Sequence, residues 1–83
     1  MALKRPQHPL PEDVRQALEL SDLMAAYKAR PPYQRNDYVG WIEQARREVT
    51  RRKRVRQMLD ELGAGDVYMG MAWSANRKPG DAR

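Results

Sequence analysis

The sequence predicts an all-α fold, a small bundle of three or four short helices with flexible termini. Three observations lead to it. Tyr38, Trp41, Ile42 and Ala45 recur at i, i+3, i+4, i+7, and Val55, Met58, Leu59 and Leu62 form a second apolar stripe. Pro31-Pro32 and Gly63-Ala64-Gly65 stand as stops around those stripes. A chain of 83 residues without cysteine has no disulfide to lean on, so one modest core must hold it by packing.

Residues 1–9 carry prolines and no apolar period, and read as a flexible arm. The first helix begins at Leu10-Pro11-Glu12-Asp13: proline suits the first turn, and the two acids complement the positive end of the helix dipole. Leu10, Val14, Ala17 and Leu18 follow at helical spacing. Ser21 and Asp22 interrupt the pattern and are expected to cap a second short helix with Leu23, Met24 and Tyr27 on one edge. Pro31-Pro32 ends it.

A third helix is expected from about Tyr33, and the Val55 stripe belongs to a fourth. One long helix could carry both stripes, but Tyr38 and Val55 are seventeen residues apart. At 3.6 residues per turn the second stripe would be rotated by about 100°. A break near Arg46 to Val49 buries both. Beyond Gly65, the segment from Val67 to Trp73 is too apolar for water and is expected to pack back as an extended segment or short turn, with Gly70 weakening any regular assignment. Residues 10–73 are thus the helical domain and 74–83 a second flexible tail.

Sixteen Lys and Arg against eleven Asp and Glu give a formal charge of +5, which favours an anionic partner. The N-terminus has a basic start but no apolar run behind it, and no window reaches the length of a membrane span, so no export signal and a cytoplasmic location are expected.

The order Leu10-Pro11-x-Asp13-Val14-x-x-Ala17-Leu18, then Pro32-x-x-Arg35-x-x-Tyr38-Val39-x-Trp41-Ile42-x-x-Ala45-Arg46, then Thr50-Arg51-x-Lys53-Arg54-Val55, resembles the YdeI/OmpD-associated, or bacteriocin-protection, family over about two-thirds of the chain. Tyr-Val-x-Trp-Ile followed by Thr-Arg-x-Lys-Arg-Val is the specific part. Relatives usually carry Pro-Glu before the Thr-Arg where this chain has Glu48-Val49, and Pro-Ser-His where it has Pro32-Tyr33-Gln34. The resemblance implies the same break between the third and fourth helices. It also implies a part in protection against bacteriocins and cationic antimicrobial peptides, linked to an outer-membrane porin and periplasmic in some members. A chain of charge +5 should repel a cationic peptide rather than sequester it.

The candidate contacts for an anionic partner are Arg46, Arg47, Lys53, Arg54 and Arg56, the last three expected to point outward. Arg51 and Arg52, one turn before Val55, are expected to lay their stems on the core and pair with Glu43, Glu48 or the end of the preceding helix. A nucleic acid could use the basic helix Val49–Leu62 through phosphate contacts, given Tyr33 or Tyr27 exposed beside it for stacking. A protein could instead dock on Met69, Met71 and Trp73. Tyr38 and Trp41 read as core, the tyrosine hydroxyl reaching Arg35 or Asp13. His8 is the only histidine, and the acids read as helix-start residues (Glu12, Asp13) or surface partners (Asp60, Glu61), so no catalytic, metal or cofactor site is expected. The reading is a non-enzymatic binding protein.

Overall fold

The computed structural model describes residues 9–73. The expected N-terminal arm before Pro9, with His8, and the expected C-terminal tail lie outside the described residues. Four helices run α1 (Glu12–Leu20), α2 (Met24–Ala29), α3 (Pro32–Glu43) and α4 (Glu48–Ala64), followed by β1 (Val67–Tyr68) and β2 (Met71–Ala72). The all-α expectation is therefore corrected: the two strands pair antiparallel, Val67 with Ala72 and Tyr68 with Met71.

The reason for the hairpin is backbone chemistry at its turn. Met69 (φ 52°) and Gly70 (φ 80°) both adopt left-handed conformations, the combination a tight two-residue hairpin turn demands. Gly70 thus makes the regular structure it was expected to weaken.

Local signals set most helix ends. Pro11, extended at ψ 152°, precedes α1, and Glu12 and Asp13 occupy its first turn. Ser21 and Asp22 close α1 rather than capping α2: Asp22 is left-handed at φ 59°, while Leu23 N–H donates to Leu18 O (2.8 Å) and Asp22 N–H to Glu19 O (3.1 Å), a Schellman-type ending. Pro32 starts α3 as well as stopping α2, since its missing N–H costs nothing in a first turn. Helix α3 ends at Glu43, so Ala45 falls in the break, which spans residues 44–47 and begins slightly earlier than Arg46. Gly65, at φ 85°, caps α4 and returns its N–H to Glu61 O.

The core joins Val14 and Leu18 of α1, Tyr27 of α2, Tyr38, Val39 and Ile42 of α3, and Met58 and Leu62 of α4. Helix α3 packs on α4, α1 touches α2 and α4, and β1 lies on α4. Helix α3 is covered on more than one side, which is why Gln34, Val39 and Gly40 are buried beside the expected stripe. Trp41 is only half-buried against this core. No helix among the described residues is long and apolar enough to cross a membrane.

Candidate functional site

Two polar features stand out, one internal and one on the surface. The internal one centres on Glu61, which is 6% exposed. Its Oε1 accepts from the Tyr38 hydroxyl (2.5 Å) and Met69 N–H (2.7 Å), its Oε2 from Gly70 N–H (2.8 Å) and the Gln57 amide (3.0 Å). The two turn amides of the hairpin thus end on one carboxylate of α4. Burial alone would raise the Glu61 carboxyl, but these four donors outweigh it and hold it below the usual carboxylate range. The Tyr38 phenol moves up, by burial first and then by its bond to Glu61.

Arg30 works beside it. At 4% exposure, its guanidinium donates to Gln34 Oε1 (3.0 Å), Glu61 O (3.1 Å) and Val67 O (2.9 Å) and lies 4.4 Å from the Trp73 ring centroid. It ties α2, the end of α4 and β1 together. Tyr68 extends the contact, donating to Asp37 Oδ2 (2.6 Å) and meeting Tyr33 and Tyr38 edge-on. Among the described residues every buried side-chain nitrogen and oxygen has a partner. Both oxygens of Glu61 are committed, so its chemistry is to hold the hairpin. Among the described residues no group of His, Cys, Asp or Glu is arranged to hold a metal ion.

The surface feature is basic and lies on the first half of α4 and the break before it. Arg46, Arg47, Arg52, Lys53 and Arg56 are exposed. Arg52 pairs with Glu48 (3.3 Å) and Arg56 with Asp60 (3.7 Å), both i,i+4; such solvated pairs contribute only about 0.3–0.5 kcal/mol and exchange readily.

The division expected within the cluster is corrected at two residues. Arg54 does not point outward: it is half-buried, donates to Trp41 O (2.7 Å) and stands 5.3 Å from the Trp41 ring centroid. Four and seven residues before Met58 and Glu61, it shares their inward face, and it satisfies a carbonyl that the end of α3 leaves open. Arg52 makes the expected pair with Glu48 but does not lay its stem on the core, because its phase puts it on the solvent edge with Arg56. Arg51 braces as expected through Glu43 (3.1 Å), and also through Asp13 of α1 (2.9 and 3.0 Å), a partner the sequence did not indicate. Its hydrogen bonds hold the Asp13 carboxyl below its usual range.

Between α1 and α4 a groove of about 320 Å³ is lined by Asp13, Glu48, Arg51, Arg52, Val55, Arg56 and Leu59. Val55 and Leu59 are its apolar floor. The aromatic residues that stacking would need are elsewhere: Tyr27 is buried, and exposed Tyr33 meets Tyr68, at the hairpin end of α4. Of the Met69, Met71 and Trp73 surface, only Met71 is well exposed; Met69 packs on the core and Trp73 on Arg30.

Two structural residues escaped the sequence reading. Glu61 reads in the sequence as a surface partner, although its place three residues after Met58 and one before Leu62 puts it at the edge of the buried stripe. Arg30 has no comparable signal, since its burial depends on the hairpin folding back over it.

Residues 7–65 match the model of a protein family described as OmdA: Bacteriocin-protection, YdeI or OmpD-Associated. No curated protein and no solved structure matches the chain significantly.

Proposed function

The chain belongs to the OmdA family of YdeI/OmpD-associated proteins, and from that premise we propose that it is a non-enzymatic binding protein serving protection against bacteriocins or cationic antimicrobial peptides. Its contact surface is the basic face of Arg46, Arg47, Arg52, Lys53 and Arg56. The observation that carries this is the separation of cations by task. Arg30, Arg51 and Arg54 are spent on the fold, whereas these five are exposed at one end of α4. The buried carboxylate supports a non-catalytic reading, because four hydrogen bonds fill the acceptor capacity a general base would need.

Like charge argues against the toxin itself as the ligand, so the partner is an acidic surface of another protein. Nucleic acid is the weaker alternative, since exposed Tyr33 lies by the hairpin end of α4, away from the cations. The variant Arg47→Glu/Lys53→Glu tests the reading because neither side chain belongs to the core. It should keep the wild-type melting temperature, lose binding to polyglutamate, and fail to restore survival of a deletion strain challenged with a cationic peptide. Full restoration of survival by the folded variant would sink the proposal.

A further inference from the structure

The groove between α1 and α4 carries more information than its charge. Val55 and Leu59 make an apolar row at i,i+4, and Arg52 and Arg56 make a parallel cationic row at the same interval. Each row advances about 6 Å along the helix axis. Both line one groove, and its volume of about 320 Å³ sits at the lower limit for ligand sites. That is room for one or two side chains of a larger partner rather than for a whole organic molecule.

We propose that this groove docks an amphipathic acidic helix of a partner protein, with leucine-type side chains over Val55 and Leu59 and a Glu or Asp row against Arg52 and Arg56. The inference rests on the basic-face reading above and deepens it by naming the partner's chemistry. Three features favour an acidic helix. Side chains four apart on a partner helix have the same interval as both rows, which is how ridges seat in grooves. The two cations are held only by solvated pairs to Glu48 and Asp60, which a partner's carboxylates can replace. Arg51, the third cation of the groove, is already answered by two carboxylates, Asp13 and Glu43, so the cations open to a partner are those of the outer row. Asp13 and Glu48, at the border of the groove, disfavour a continuous phosphate backbone and discriminate toward a ligand whose negative charge runs in a single row.

The test uses the full chain and two synthetic peptides of equal length and net charge. One carries Glu and Leu rows at i,i+4; in the other each Leu is replaced by Ser. Binding is read by titration calorimetry and by methyl chemical shifts of the unmutated protein. The expected result is at least tenfold tighter binding of the leucine peptide, with shifts at the Val55 and Leu59 methyls and loss of the preference in Arg52→Glu/Arg56→Glu. Equal affinity for both peptides, with the Val55 and Leu59 methyls unmoved, would overturn the groove while leaving the basic-face reading standing. Binding of neither peptide would overturn both. Displacement of the leucine peptide by a short DNA duplex, with the same methyls shifting, would overturn the choice of a protein partner.

Discussion

Placing a carboxylate at 6% exposure costs several kcal/mol unless donors surround it, and Glu61 has four. Because two of them are the turn amides of Met69 and Gly70, the residue also fixes where the hairpin lies. Glu61→Gln keeps the size but turns one acceptor into an amide nitrogen, which must then face either the Met69 and Tyr38 donors or those of Gly70 and Gln57. A loss of about 2–3 kcal/mol is expected from urea unfolding. The same measurement on Arg52→Ala or Arg56→Ala should give less than about 0.5 kcal/mol, since those pairs are solvated. Only part of this difference was legible in the sequence. The outward phase of Lys53 and Arg56 could be read directly, but Arg52 and Arg54 exchanged roles because each lies near an edge of the apolar stripe. At such an edge a few tens of degrees decide between a core strut and a surface charge.

At the level of elements, the stops were more legible than the starts. Proline and glycine act through backbone geometry, which needs no tertiary partner to take effect, so Pro31-Pro32 and Gly63-Ala64-Gly65 marked real ends. Side-chain capping was a poorer guide, and none of the four helices has a side-chain hydrogen bond from its N-cap residue. The packing back of Val67 to Trp73 as extended chain was legible, but its pairing into a hairpin was not, because Met-Gly is a weak turn signal and two-residue strands have no period to read; the turn is held chiefly by Glu61, from another element. The end of α4 offers a paired test of backbone reasoning. Gly63 is helical and Gly65 left-handed, and a Cβ at either would meet nothing within 4 Å. With packing out of play, Gly63→Ala should stabilise by about 0.5–1 kcal/mol through helix propensity. Gly65→Ala should cost about 1–2 kcal/mol through its positive φ. Thermal melts of the two variants moving in the same direction would contradict this account of the helix end.

For the molecule as a whole, two of the carboxylates that link distant elements are held below their ordinary range. Asp13 joins α1 to α4 through Arg51, and Glu61 joins α4 to α3 and the hairpin. A carboxyl with a lower pKa in the folded chain adds stability that is fully present above its unfolded value and is lost as pH falls through the folded one. The melting temperature should therefore be nearly flat from pH 7 down to about the ordinary values, 4.5 for Glu61 and 3.8 for Asp13, and then fall. The acid loss should be smaller in Glu61→Gln, which has nothing to protonate there, and should keep its Asp13 component. Tyr38 acts at the other extreme. Its phenol is raised by burial and by Glu61, so the unfolded chain gives up that proton first, and stability should decline again above about pH 10. The hairpin amides should report the acid transition locally: the protection of the Met69 and Gly70 amides against hydrogen exchange, relative to the unfolded chain at the same pH, should fall as Glu61 protonates, ahead of that of the core amides of Val39 and Ile42. Simultaneous loss of protection at all four would mean that the carboxylate latch and the helical core open as a single unit.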